Sequence, residues 1–229
     1  LGTRMFGTRD PQNRYRIWFT SGAPPLGSFA GGYDGGYLDW QLGGKYLPVR
    51  AEDYRDGKGT PIATIWCDSA DGQGCIIQMS LDTVSAGPVS VTVPHAYKLP
   101  GSRGTPAPGS VINVLNDYHF YNSQAMYNLG NRKDFQQILS TDELSANIRP
   151  SIKRINNAAE KRIASAYFDA KVYHSVPLDG AGSNNYTMVY DTEQQAWIPE
   201  AFTIGFKKFL RYTDTEGVQH LLAIKPGDR

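Results

Sequence analysis

Four aspartates in glycine-rich or loop-like sequence are the first candidates for chemistry: Asp34, Asp39, Asp68 and Asp71. Two facing carboxylates can hydrolyse a glycosidic bond, one as general acid and the other as base or nucleophile. Aspartate is also common in turns, because its short side chain accepts hydrogen bonds from nearby backbone N–H groups. We favour the turn interpretation, and we expect no glycosidase site.

The histidines are the next candidates, and they lie far apart in the sequence: His95, His119, His174 and His220. No two of them have the His-x-x-x-His spacing that places two ligands on one helix face. His119 and His174 fall in strand-like patterns, where a half-buried structural histidine is commoner than a metal ligand. The sequence therefore predicts no metal-binding residue.

The two cysteines, Cys67 and Cys75, flank the loop-like segment "DSADGQG" between two strand-like runs. A hairpin there could bring the two thiols face to face. Two cysteines without a nearby histidine are too few for zinc, and one pair does not make a disulfide scaffold. We predict two small buried side chains that stay reduced. The loop is not a calcium loop either, because Ala70 stands where the third ligand would have to be.

Other signatures of chemistry are missing from the sequence. There is no Gly-x-Ser-x-Gly elbow, and "GGYDGG" lacks the lysine and following helix that a phosphate-binding loop needs. The cationic segment "KRINNAAEKR" could touch DNA, but a solvated helix face is the simpler interpretation. We therefore expect no catalytic or cofactor-binding residue, no cofactor, and a protein that is not an enzyme.

Charge and hydropathy exclude some classes of protein. Lys and Arg number 23 against 22 Asp and Glu, so no net charge attracts the chain to nucleic acid or to an anionic membrane. No apolar run approaches the roughly 18 residues of a membrane-spanning helix, and we expect no membrane segment. The chain begins at Leu1 without an initiator methionine, which leads us to expect a trimmed or partial chain.

The composition predicts a mainly β protein, because 14 Tyr, nine Phe and four Trp occur among 24 Gly and 14 Pro. We divide the chain into three parts. Residues 1–97 form a β-rich segment without assignment, residues 98–110 a Pro/Gly-rich loop, and residues 111–229 a series of hairpins with a helical insertion at about 142–159.

The insertion is predicted as two short helices, about Asp142–Ile148 and about Pro150–Ala158. Ser140 and Glu143 fit a capping box at the start of the first helix. Pro150 cannot lie inside a helix, but it suits the first turn of the second one.

Antiparallel hairpins are predicted on both sides of this insertion. One turns at Asn116-Asp117 and the next at Asp169-Ala170; two more turn at "TEQQ" and "TDTEG", where Gly217 suits a positive φ. Evenly spaced hairpins are typical of a sandwich, a barrel or a propeller. In a β-propeller, Ala159 to Ile224 would supply about one and a half blades.

A longer block, from Asn113 to Ala201, resembles tail and neck structural proteins of short-tailed bacteriophages. The resemblance rests on a "P.I..IN" pattern, a strand pair, a Gly/Ser/Asn loop, "NN..LVYD" and a tryptophan. Its residues are Pro150, Ile152, Ile155, Asn156, Lys171, Tyr173, Val176, Pro177, Asn184, Asn185, Val189, Tyr190, Asp191 and Trp197. There is no Ser-x-Asp-x-Gly-x-x-Trp box, so a sialidase-type propeller is not indicated.

The resemblance implies a virion structural protein with β-propeller-like blades, assembled in the host cytoplasm. Proteins of this group form homo-oligomeric rings, usually hexamers, below the portal and adaptor. They act as a nozzle or stabilising hub that extends the DNA exit channel, so DNA would pass transiently. On this view Tyr190, Asp191 and Trp197 shape a hairpin and its packing, and the insertion contacts a neighbouring subunit or the adaptor.

Two other functions remain open from the sequence. The first is a carbohydrate-binding or receptor-binding propeller of the tail, in which Tyr33, Tyr37 and Trp40 would stack on sugars. The second is a β-sandwich interaction module of a cell.

Overall fold

A computed structural model describes residues 6–8, 10–20, 36–39, 45–55, 61–86, 89–115, 117–132 and 138–227. The predicted mainly β fold is confirmed, with antiparallel pairing in every strand pair whose register is given. Among the described residues each sheet is open, and none closes on itself. The chain divides into two compact units, residues 1–105 with 131–140, and residues 106–130 with 141–229.

The first unit contains a three-stranded and a four-stranded sheet, each in sequence order. The smaller sheet comprises β1 (Phe6–Gly7), β2 (Arg16–Phe19) and β3 (Gly36–Asp39). The larger sheet comprises β4 (Tyr46–Arg55), β5 (Pro61–Ser69), β6 (Cys75–Ala86) and β7 (Val89–Lys98).

Alternation along β5 and β6 builds the core of the first unit. Side chains two residues apart point to the same face of a strand. The core accordingly takes Ala63, Ile65 and Cys67 from β5, Cys75, Ile77 and Met79 from β6, and Ile17 and Phe19 from β2. All eight are buried, and each large aliphatic side chain contributes about 1.5–3 kcal/mol by leaving water.

The next sheet has four strands, which also follow sequence order. Residues 131–132 and 138–140 of its last two strands are grouped with the first unit, and the rest of the sheet belongs to the second. They are β8 (Ile112–Val114), β9 (Asp117–Asn122), β10 (Ala125–Arg132) and β11 (Ile138–Glu143). A hairpin between β8 and β9 is present as predicted, but the predicted turn residue Asp117 lies in β9, where it pairs with Val114. A tight hairpin between β9 and β10, about Ser123, was not predicted.

A second four-stranded sheet and a two-stranded hairpin follow. The sheet comprises β12 (Ala164–Phe168), β13 (Lys171–Val176), β14 (Tyr186–Asp191) and β15 (Ala196–Phe202), and the hairpin comprises β16 (Lys208–Thr213) and β17 (Gln219–Ile224). All three predicted hairpins are confirmed. Asp169 and Ala170 have φ of 50° and 55°, as a tight hairpin turn requires, and Gly217 has φ of 85°.

The sheets of the second unit succeed one another with their first strands adjacent, since β12 contacts both β8 and β16. The first two sheets of this unit pack face to face. Their shared core takes Tyr121 and Met126 from one sheet and Val176 and Met188 from the other.

The prediction of two short helices was wrong in its details. Residues 140–143 belong to β11, Ala146–Ile148 is one 3₁₀ turn, and the α-helix, α1, spans only Arg149–Ile152. A second 3₁₀ segment follows at Asn157–Arg162, and a third lies earlier, at Pro108–Ser110. Pro150 does lie in the first turn of α1, as predicted.

Long-range hydrogen bonds explain why no longer helix forms. Leu144 donates its N–H to the carbonyl of Met126, so the predicted first helix is held as an extension of β11. Ile155 forms an isolated bridge with Leu178, two residues after the end of β13, which ends the helical path after α1. The capping box does not form, because the Glu143 carboxylate binds Arg149 instead. Short helices have little intrinsic stability, so such tertiary bonds decide the structure.

Candidate functional site: the outward face of the β16–β17 hairpin

Several residues that carry the phage resemblance connect residues 141–163 of the second unit to the sheet β12–β15. Trp197 is the clearest case. Its indole Nε1 donates a 2.9 Å hydrogen bond to the carbonyl of Leu144, and its ring lies across Tyr190 with 5.3 Å between centroids. Trp197 and Tyr190 are direct cross-strand partners, so β14 and β15 position both rings.

Two asparagines of the resemblance hold loops by side-chain hydrogen bonds. Asn185 accepts from the N–H of Leu178 at 2.8 Å through Oδ1. Asn156 caps the 3₁₀ segment by accepting from the N–H of Ala158, and its Nδ2 donates to the carbonyl of Ala181. The backbone N–H of Asn156 donates to the carbonyl of Pro177, so this segment is tied to the end of β13.

Asp191 turns the chain between β14 and β15. Its Oδ1 accepts from the backbone N–H groups of Glu193 and Gln194, both at 2.9 Å.

Ile152 and Ile155 are buried in the core that Trp197 covers. The apolar side of the insertion is therefore used inside the unit, and only its polar side is left for a neighbour.

Cations of the segment "KRINNAAEKR" are partly engaged. Arg154 makes a bidentate ion pair with Asp179 at 2.6 and 2.9 Å, and Arg162 donates to the carbonyl of Gly182. Lys153 and Lys161 are exposed. The two arginines of the segment therefore stabilise local structure, and the two lysines are exposed to solvent, as a solvated surface would have them.

His119 and His174 are more deeply buried than predicted, with 5% and 0% of their surfaces exposed. Burial lowers the pKa of His119 to about 4. Burial and the nearby His119 lower the pKa of His174 to about 3. Both rings are therefore neutral at pH 7. The Oγ of Ser165 lies 2.7 Å from Nδ1 of His174, and the rings of Tyr190 and Trp197 lie within 6 Å of one imidazole each.

The predicted carboxylates serve turns and ion pairs rather than each other. Asp39 forms a bidentate pair with Arg16 at 2.7 and 3.0 Å. Asp68 accepts from the N–H of Ser69. Asp71 accepts from the Ser69 hydroxyl and lies 2.9 Å from Lys45, and these contacts, the Ser69 bond first, lower its pKa.

Asp34, Tyr33 and Trp40 lie outside the described residues. Of the three aromatic side chains predicted for sugar stacking, Tyr37 is described and is 47% exposed. Its ring is covered on one side by the Arg16 guanidinium, 3.7 Å from the centroid, and it meets Trp18 edge-on.

His95 and His220 lie in exposed ion pairs. His95 faces Asp82 at 3.5 Å, and His220 Nε2 lies 2.7 Å from Asp214. Within the described ranges, no group of three or more His, Cys, Asp or Glu side chains could hold a metal ion. No helix among those residues is long and apolar enough to cross a membrane.

The β16–β17 hairpin carries the surface that the sequence analysis missed. Its inward face packs on the neighbouring sheet: Phe209 lies near Phe206 and Tyr173, with centroids 5.5 and 6.5 Å away. Arg211 donates to the carbonyl of Tyr167 in β12 at 3.4 Å. The side chains between these residues in the sequence must point the other way.

The outward face is apolar and open. It consists of the cross-strand pairs Leu210–Leu222, Lys208–Ile224 and Tyr212–His220. Leu210 is 57% exposed and Leu222 49%, and Ile224 and Tyr212 are also exposed. We call these four apolar residues the outward face. Contiguous exposed apolar surface on a folded protein is typical of a site of interaction.

The hairpin is rigid because its tip is tied. Asp214 Oδ1 accepts from the N–H groups of Glu216 and Val218 at 3.0 and 2.8 Å, while Oδ2 pairs with His220. These hydrogen bonds, the one with His220 first, lower the pKa of Asp214, so it stays ionised. The ring of His220 stacks on Tyr212 with 5.0 Å between centroids. A partner would meet a preformed surface, which reduces the entropy lost on binding.

One signal in the sequence could have revealed the outward face. Both strands carry adjacent apolar residues, Phe209-Leu210 in one and Leu221-Leu222 in the other. Adjacent apolar residues point to opposite faces, which indicates a strand buried on both sides.

In comparisons with known proteins, no family model matches this chain and no curated sequence is significantly similar to it.

Proposed function

We propose that this chain is a structural subunit of a bacteriophage virion, in a tail or neck ring that serves as nozzle or hub. The ring would lie below the portal and adaptor and extend the DNA exit channel. Copies of the chain would assemble with one another, and the resemblance makes six the expected number. The outward face of the β16–β17 hairpin is the observation that carries the assembly role.

The contacts among the resembling residues support this proposal. Trp197, Asn156 and Asn185 are each tied by hydrogen bonds to a carbonyl or N–H of a distant segment. These side chains hold the insertion and the sheet together as one piece. Because these contacts depend on one another, we expect the residues that make them to occur together in related structural proteins.

The order of the sheets supports a propeller-type arrangement within the proposal. Two four-stranded antiparallel sheets in sequence order are followed by the two-stranded hairpin, and the first strand β12 contacts both β8 and β16, as successive blades would give. Each blade of a propeller packs on a neighbour through both faces. The inward face of the hairpin already packs on β12–β15, so the outward face is suited to the next sheet.

We assign that next sheet to another copy of the chain. The two leucines and the isoleucine are already about half buried, so each would gain roughly 1 kcal/mol on full burial, which favours association through this face. Lys208 and His220, the polar members of the cross-strand pairs on this side of the hairpin, would form the polar rim.

Sedimentation and native mass measurements test the assembly. The wild-type chain should form a closed oligomer, and Leu210→Glu with Leu222→Glu should reduce it to single chains with unchanged β content by circular dichroism. Val84→Glu is the matched control, because Val84 is 51% exposed on β6 of the other unit. A wild-type chain that stays monomeric at high concentration, or an assembly that survives the double variant, would contradict the proposal.

Carbohydrate binding is the second candidate, and a polar depression of about 300 Å³ favours it. The depression is lined by Ser123, Gln124, Lys153 and Asn157, whose hydroxyl, amide and ammonium groups suit a sugar. A glycan array separates the two functions. Specific binding that is lost in Gln124→Ala would support this candidate, and an empty array would favour the structural role.

A further inference from the structure

Cys67 and Cys75 lie directly opposite each other where β5 and β6 meet. They are Cα partners in the register of the two strands, so their side chains point to the same face. Both are fully buried, with 0% of their surfaces exposed. Neither takes part in the outward face or in the proposed ring contact.

Both side chains belong to the same cluster of buried residues in the first unit. Directly opposed residues of an antiparallel pair have Cα atoms roughly 4.5–5.5 Å apart, which lies inside the range that a disulfide spans. The bond could therefore form with the strand register kept. Side-chain rotation is the only movement that it requires.

The surroundings distinguish the two thiols. Burial raises the pKa of Cys67. The hydrogen bond from Cys67, followed by the ammonium groups of Lys98 and Lys45, lowers the pKa of Cys75. Because the thiolate is the reactive form, Cys75 is the better nucleophile of the pair.

The backbone at Gly104 packs closely against the strand backbone at the two cysteines. A Cβ on Gly104 would lie 1.8 Å from the carbonyl oxygen of Cys67 and 2.5 Å from the nitrogen of Cys75. The segment that contains Gly104 is held by a hydrogen bond from its N–H to the carbonyl of Gln73 and by Ser102, whose Oγ accepts from Ile76. The thiols lie among the core side chains of the first unit, so the reagent would reach them during local opening of that core or during folding.

We propose that Cys67 and Cys75 form a reversible intrachain disulfide when the chain meets a small-molecule disulfide. The thiolate of Cys75 attacks one sulfur of the reagent and releases one reagent thiol. The Cys67 thiolate then attacks the mixed disulfide at Cys75 and releases the second. In total two protein thiols and one reagent disulfide become one protein disulfide and two reagent thiols, with protons passing through solvent.

The disulfide would close the loop between β5 and β6 and stabilise that end of the hairpin. A disulfide that closes a loop of nine residues, Cys67 to Cys75, restricts the unfolded state, and the chain-entropy relation gives a gain of roughly 50- to 100-fold in the equilibrium constant of folding. The loop is already fixed by Ser69 and Asp71, so little native structure would have to move.

The test uses the full folded chain in native buffer with oxidised and reduced glutathione. The sample is quenched with acid, denatured, alkylated and digested with trypsin. The tryptic peptide Gly59–Lys98 contains both cysteines, because no lysine or arginine lies between its ends. It should be about 2 Da lighter than the reduced form and should not be alkylated. A further cleavage of this peptide at Asp68 and Asp71, which lie between the two cysteines, should give two fragments that stay linked until the disulfide is reduced.

Two measurements complete the test. Oxidation should raise the urea midpoint of the first unit, and the double variant Cys67→Ala with Cys75→Ala should show no midpoint change with glutathione. The single variant Cys67→Ser should stop at a mixed disulfide on Cys75. Two alkylated thiols after equilibration and refolding in the same buffer, a bond between chains, or a lower midpoint on oxidation would each overturn the proposal.

Discussion

The two buried imidazoles of the second unit make its stability depend on pH near neutrality. The unfolded chain has histidine pKa values of about 6.5, whereas burial lowers that of His119 to about 4 and that of His174 to about 3. Below about pH 6.5 the unfolded chain therefore binds more protons than the folded one. Stability is unaffected by these groups at higher pH and falls as the pH drops toward the folded values.

The magnitude follows from the two shifts. Between pH 7 and pH 5 an unfolded histidine becomes almost fully protonated while the folded imidazole stays neutral, which costs about 2 kcal/mol per ring. The pair should cost about 3–4 kcal/mol, a large part of the 5–15 kcal/mol of a typical domain. Both side chains are buried, so solvent screens this effect little.

The measurement compares the wild type with His174→Gln, which removes one titrating ring. Urea series at pH 7 and pH 5, read by hydrogen-exchange labelling of peptides from β13 and β14, give the free energy of unfolding of this unit. The pH-dependent loss should be about 2 kcal/mol smaller in the variant, even if the variant is less stable throughout. Carboxylates contribute mainly below pH 5 and cancel in the difference.

His95→Gln is the matched control, since that side chain is 59% exposed. His95 lies in the first unit, so this variant should leave the pH-dependent loss of the second unit unchanged. An equal pH-dependent loss in the wild type and in His174→Gln would refute the reasoning, because it would mean that the imidazole at this position is not shielded from protons.

Two further predictions concern single contacts. Trp197→Phe should lower the free energy of unfolding by about 1–3 kcal/mol in a urea series, because the carbonyl of Leu144 loses its donor; a loss below 0.5 kcal/mol would show that the bond is unimportant. Gly104→Ala should cost about 2 kcal/mol or more, since its Cβ would overlap the carbonyl oxygen of Cys67, whereas Gly182→Ala meets nothing within 4 Å and should stay within about 0.5 kcal/mol of the wild type. Equal midpoints for the two glycine variants would contradict the close approach.

Local patterns predicted the hairpins well. Turns at Asp169-Ala170 and before Gly217 could be predicted because a two-residue turn and a positive φ leave clear residue preferences. Strand alternation placed Cys67 and Cys75 opposite each other for the same reason. These features depend on residues close in the sequence.

The insertion was predicted poorly because distant contacts decide its structure. The spacing of Leu144 and Ile148 fits a helix, but the backbone of Leu144 bonds to Met126 instead. The fastening role of Trp197 depends on a carbonyl 53 residues away, which no local pattern reports. The outward face was missed because hairpin composition alone does not tell which side of a strand meets another sheet.

Immunogold electron microscopy of virus particles tests the central claim, a virion ring subunit, most directly. The antibody should be raised against the folded chain, so that exposed turns such as that at Glu193 and Gln194 are recognised. We predict gold at a single vertex of each particle, at the base of the tail, together with a band in a blot of denatured particles. Particles without gold and without that band would contradict the account.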